Sequence, residues 1–122
     1  MARILVADDE KDIIAAFKSL LEKDGHEVVT ASDGKEAVEK AKRLSPDLII
    51  LDVMMPTLDG YAAHAQLSED SKTRPIPIIM LIAKSEMREV FAESLSVVSC
   101  FDKIPFNPQL FRQKVKEALE RK

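Results

Sequence analysis

Five short apolar runs recur along this chain, and between them the apolar residues fall every third or fourth position. The runs are "ILVA" at 4–7, "EVVTA" at 27–31, "LIILD" at 48–52, "IIMLI" at 78–82 and "VVSCF" at 97–101. Each is short and mostly apolar, with few polar interruptions, the pattern of strands buried on both faces. After the first run, Ile13, Ile14, Phe17, Leu20 and Leu21 recur at helical spacing. Asp33 predicts an N-cap, and Glu36 three residues on completes a capping-box-like pair before the face made by Ala37, Val38, Ala41 and Leu44. Residues 60–68 read as a short alanine-rich helix. Met87, Val90, Phe91 and Leu95 predict a fourth helix, and Phe111, Val115, Ala118 and Leu119 a fifth, opened by Asn107 as N-cap with Pro108 in the first turn.

Strands alternating with helices build βαβ units, whose right-handed crossovers place helices on both faces of a parallel sheet. The expected architecture is therefore α/β, a three-layer sandwich of a five-stranded parallel sheet and five helices. At 122 residues the chain suits one domain, expected over 1–122. Its net charge of −3 lacks the basic excess of a non-specific nucleic-acid binder, so direct nucleic-acid binding is not expected. No apolar run approaches the roughly 20 residues of a membrane helix, and "MARILVADDE" turns acidic too early for a signal peptide. The single cysteine, Cys100, cannot form an internal disulfide and reads as a small buried hydrophobe, which fits a cytoplasmic setting.

In such sheets ligands bind beyond the carboxyl ends of the strands. The first strand there runs into Asp8, Asp9 and Glu10, and the third ends on Asp52. Carboxylates gathered on one rim raise one another's pKa and call for a positive occupant, and hard oxygen donors with open positions suit Mg²⁺. The competing structural reading is that Asp8 or Asp9 merely caps the helix that follows. Asp52 is harder to explain structurally, because a loop with Pro56, Asp59 and Gly60 intervenes before any helix. His26 and His64 lack metal-ligand spacing and read as surface or turn residues.

With these residues in view, the chain resembles the receiver domains of bacterial two-component response regulators. "ILVADDE" is similar to that family's opening strand and acidic pair, "PDLIILDVMMPTLDGY" to its phosphoacceptor segment, and "PFNP" to the loop before its last helix. The resemblance implies the flavodoxin-like receiver fold and a signalling role without enzymatic turnover of its own. It implies Asp52 as the phosphoacceptor, taking a phosphoryl group from a sensor histidine kinase or a phosphotransfer protein. It further implies Mg²⁺ held by Asp9, Asp52 and the backbone carbonyl of Met54, with Asp8 assisting, and a downstream protein target. Phosphoryl transfer needs an in-line nucleophile and neutralised phosphoryl oxygens, which suits these residue types.

Two positions depart from the family pattern. Ile82 stands where the family places Thr or Ser, and Ile104 where it places Lys; no gap is needed from Asp52 to Pro105. Lys103 is a candidate substitute, although alternation along a strand turns neighbours to opposite faces unless a bulge intervenes. Phe101 occupies the family's switch-aromatic position and reads here as a core residue. These departures keep a second function open, a degenerate receiver that works as a phosphorylation-independent interaction module. An aspartyl-nucleophile hydrolase resembling the haloacid dehalogenases would want Asp two residues after Asp52, where this chain has Met54. A dinucleotide-binding domain would want a Gly-rich turn after the first strand, which is absent.

Overall fold

A computed structural model describes residues 2–52, 57–58, 60–82, 97–102 and 107–120, with Tyr61, Ile82 and 97–102 described by their backbone. The elements are β1 (Arg3–Ala7), α1 (Lys11–Lys23), β2 (Glu27–Ala31), α2 (Gly34–Leu44), β3 (Leu48–Asp52), α3 (Gly60–Glu69), β4 (Ile78–Ile82), β5 (Val97–Asp102) and α4 (Pro108–Glu120). All five expected strands pair in parallel in the order β2-β1-β3-β4-β5, with β3 at the centre. Four helices are seen among the described residues. The helix expected around Met87, Val90, Phe91 and Leu95 lies outside them.

The apolar stretches of β1, β3 and β4 each feed two cores. Leu5, Ala7, Ile49, Leu51, Ile78 and Met80 face α2 and α3, where they meet Ala37, Val38, Ala41, Ala63 and Leu67. Their neighbours Ile4, Val6, Leu48, Ile50, Ile79 and Leu81 face α1 and α4, against Phe17, Leu21, Phe111, Val115 and Ala118. Period-2 alternation thus yields a three-layer sandwich. On the second face Phe17 and Phe111 stack, with ring centroids 4.4 Å apart and planes 14° apart.

Local signals set the helix ends. Asp33 accepts from the Glu36 backbone N–H at 2.8 Å. The returning Glu36 carboxylate, however, takes the Ser32 N–H at 2.6 Å, one residue before the cap, so the expected reciprocal box is closed one position early. Asn107 Oδ1 accepts from the Leu110 N–H at 3.0 Å, as an N-cap should. Gly25, at φ +90°, ends α1 while its N–H bonds Glu22 O and the His26 N–H bonds Leu21 O, a Schellman closure that needs the left-handed residue.

β5 carries an irregularity at its start. Ile78 pairs with Val97 but Ile79 pairs with Ser99, so Val98 is the extra residue. The strand continues one residue past the expected "VVSCF", and Ile82 pairs with Asp102.

Candidate functional site

The strand order reverses direction at β1: the chain moves outward to β2, then returns past β1 to β3 and onward to β5. That switch point between β1 and β3 leaves a crevice at the carboxyl ends, the usual ligand position in open α/β sheets. Register places Asp8 and Asp52 level across it, one step beyond the Ala7–Leu51 pair. Asp8 is fully buried and Asp52 is 3% exposed. Two carboxylates at such depth, each following a run of four buried apolar residues, are not the solvated acids of an ordinary loop.

The capping alternative for Asp8 and Asp9 is not what the structure shows. The N-cap of α1 is Glu10, whose own side chain makes no capping hydrogen bond. The Asp8 Oδ1 accepts instead from the Glu10 backbone N–H at 2.9 Å, while the Asp8 N–H donates to Ala31 O at 3.1 Å. These two bonds tie the Asp8 backbone to β2 and its carboxylate to the turn, so the group is held at the head of β1.

One side-chain oxygen from each of Asp8, Asp9 and Glu10 lies within 4.8 Å of the other two, with Asp8 buried and the other residues exposed. At that separation each like-charge pair repels by roughly 1–3 kcal/mol as the surroundings change from water to protein surface. Glu10 was not singled out in the sequence reading, although its place in the contiguous "DDE" was the available signal. The donor set is wholly oxygen and partly open to water. It fits Mg²⁺, which takes one or two carboxylates and keeps several waters.

The remaining expected site residues divide. Ile82 ends β4, one residue beyond Leu81, the register partner of Asp52, and Phe101 pairs with Leu81 on β5. Asp8, Asp52, Leu81 and Phe101 therefore form one row across the sheet. Met54, Lys103 and Ile104 lie outside the described residues. Thr57, in the loop after β3, has φ +66°, a left-handed conformation that a β-branched residue rarely adopts. His64 on α3 is half-buried, and burial pushes its imidazole below the ordinary value; its Nε2 lies 3.4 Å from Ser68 Oγ.

The family model described as Response regulator receiver domain matches residues 4–116, from the first strand to within the last helix. The chain is a response regulator receiver domain. The alkaline phosphatase synthesis transcriptional regulatory protein PhoP of Bacillus subtilis is 42% identical over 120 residues, 98% of this chain. The receiver domain spans about half that relative's length, 49%. Among solved structures, response regulator TrrA from Thermotoga maritima, in complex with Mg(2+)-BeF, is 35% identical. It superposes with a TM-score of 0.86, covering 97% of this receiver domain and 99% of that chain. The receiver domain of a Pseudomonas aeruginosa sensor histidine kinase, with a magnesium ion coordinated in its active site cleft, is 26% identical. Its TM-score is 0.88, with 98% of each chain covered. The flavodoxin-like arrangement implied by the sequence is thus the arrangement of its relatives. No helix among the described residues of this receiver domain is long and apolar enough to cross a membrane.

Proposed function

We propose that this receiver domain is a phosphoacceptor in a two-component phosphorelay, with Asp52 as the residue modified. The observation that carries the reading is Asp52 itself, 3% exposed at the end of the central strand and level with the buried Asp8. A carboxylate held by a strand buried on both sides presents one oxygen in one place, which is what an in-line nucleophile requires. The donor would be a phosphohistidine of a sensor kinase or phosphotransfer protein. A carboxylate oxygen of Asp52 forms the new O–P bond, the N–P bond breaks, and its electron pair returns to the imidazole nitrogen, leaving an acyl phosphate.

Asp8, Asp9 and Asp52, with the Met54 carbonyl, would hold Mg²⁺, and Glu10 adds an oxygen to the same rim. When bound, Mg²⁺ supplies positive charge to the phosphoryl oxygens and relieves the carboxylate repulsion. The Mg(2+)-BeF complex of TrrA and the magnesium ion of the kinase receiver domain support carrying the metal over. Asp8, fixed by the Glu10 N–H, orients the acidic rim, and the buried strands exclude water from behind Asp52.

The response to phosphorylation is the finer part of the reading. Ile82 and Ile104 stand where a hydroxyl and an ammonium would contact the phosphoryl group, and each such charged contact contributes roughly 1.5–3 kcal/mol. Phosphorylation is therefore slow and its read-out through Phe101 weak, unless Lys103 takes the ammonium's place.

The test is incubation with Mg²⁺ and a small phosphodonor, read by intact mass. One phosphoryl mass, removed by hydroxylamine and absent in Asp52→Asn, is the expected result. A phosphoryl mass retained in Asp52→Asn refutes the assignment. Thermal melts check the metal: millimolar Mg²⁺ raises the Tm, because a ligand of the native state stabilises it by RT ln(1 + [L]/Kd). An equal rise in Asp9→Ala contradicts the ligand set.

A further inference from the structure

β2 is an edge strand, joined to β1 on one side only. The Glu27 N–H donates to Ala2 O, and Ala31 O accepts from the Asp8 N–H. Since backbone groups alternate along a parallel strand, Glu27, Val29 and Ala31 spend theirs on β1. Val28 and Thr30 point theirs outward. One outward group is occupied in an unusual way: the Lys40 ammonium, from α2, donates to Thr30 O at 2.6 Å while pairing with Glu36 at 3.2 Å. A side-chain cation is standing in for a neighbouring strand.

The space beside this edge is a groove of about 440 Å³ between α1 and α2. Lys11 and Lys18 line it from α1, seven residues apart on one helical face, and Lys40 lines it from α2. Glu36 is the one acid lining it, and Lys40 already neutralises it. Lys11 and Lys18 make no ion pair among the described residues, so the groove carries uncompensated positive charge along an unpaired strand edge.

Edge strands invite pairing with any extended chain, and lysines decide which chain is tolerated. A second copy of this domain, pairing β2 to β2, would bring the same three lysines from each side against one another. An acidic segment meets the opposite sign. We propose that the outer edge of β2 is a docking site for an extended acidic peptide segment, which adds as a sixth strand and displaces Lys40 from Thr30 O. Backbone hydrogen bonds to Val28 and Thr30 hold the segment, and Lys11 and Lys18 select its charge. Lys40 keeps the edge closed until then and pairs with the arriving acid afterwards. This surface lies on the β2 side of the sheet and does not depend on phosphorylation of Asp52.

The experiment uses the whole chain and a fluorescein-labelled hexapeptide of sequence Glu-Val-Glu-Val-Glu-Thr, with Lys-Val-Lys-Val-Lys-Thr as its charge-reversed control. Anisotropy should give saturable binding of the acidic peptide, at least about tenfold tighter than the control, and weaker at higher salt because the lysines are exposed. Lys11→Glu with Lys18→Glu should lose at least about tenfold in affinity. Lys11→Gln with Lys18→Gln should move in the same direction by less. Amide exchange should slow at Val28 and Thr30 when the acidic peptide is added. Equal affinity for both peptides, no saturation at millimolar peptide, or protection confined to other amides overturns the proposal. So does concentration-dependent dimerisation of the unmodified chain that protects these same two amides.

Discussion

The stack of Phe17 on Phe111 is the main aromatic contact joining α1 to α4, and it can be isolated quantitatively. Phe111 is fully buried and Phe17 is 2% exposed, with centroids 4.4 Å apart and planes 14° from parallel. Phe111→Ala removes the ring and leaves a cavity, at a cost of about 3–5 kcal/mol. For 122 residues the unfolding entropy near the midpoint is about 0.26 kcal/mol/K, so the Tm should fall by about 12–19 °C. That is a large share of the 5–15 kcal/mol a domain of this kind possesses. A sharper version replaces rings with Leu, which keeps most of the apolar area. Phe17→Leu and Phe111→Leu should each cost about 1–2 kcal/mol. The ring–ring contribution beyond area, about 0.5–1.5 kcal/mol, is lost in either single variant and cannot be lost twice. The double variant should therefore be less destabilised than the sum by that amount, measured by urea unfolding at constant m. Additivity within about 0.3 kcal/mol would refute the claim that the stack contributes more than burial.

Three further outcomes are expected. Ile82→Thr with Ile104→Lys should speed phosphorylation by a small phosphodonor about 30- to 150-fold, for a gain of about 2–3 kcal/mol at the transition state; no acceleration over an already fast wild type would point to Lys103. Thr57→Gly should raise the Tm by about 2–4 °C, because relief of a left-handed β-branched residue outweighs the added freedom of the unfolded chain; an unchanged or lower Tm contradicts the strain. The hydrogen bond from the Arg112 guanidinium, aided by its charge, holds the Asp24 carboxyl below its ordinary value. A depressed folded pKa gives stability that is present above the unfolded value and lost as pH falls through the folded one, so Arg112→Met should flatten the stability loss below about pH 4, and an unaltered acid limb in urea melts would rule this out.

The strands were legible because a parallel strand covered on both faces leaves no room for polar interruption, and "LIILD" could hardly be anything else. The strand order, and with it the switch point between β1 and β3, came only with the pairing of the strands. What stayed hidden depends on distance in sequence or on geometry within one turn. The Asp24–Arg112 pair joins residues 88 apart, and nothing local marks either as a partner. Whether Asp8 capped α1 turned on where the helix began, and Glu10 took that place. The Glu36 carboxylate chose Ser32 over the cap residue, a difference of one position that helix propensity does not resolve. The Lys40 bond to Thr30 O was likewise unreadable, since a lysine on a helix exterior looks solvated until a strand edge is found beneath it.

The row that runs through Asp8, Asp52, Leu81 and Phe101 also sets a length scale. Neighbouring strands lie about 4.8 Å apart, so from Asp52 to the backbone of β5 the path is two steps, roughly 10 Å, each bridged by the sheet's own hydrogen bonds. Leu81, the middle member, is rooted in the same apolar cluster as Phe111. A displacement of the β3 terminus by even a fraction of an ångström must either be absorbed at that close-packed leucine or handed on to the strand beyond it. Interiors packed at crystalline density absorb little. The far edge of the sheet is thus mechanically next door to the acidic rim, and the chain needs no lever or hinge to bring the two into register.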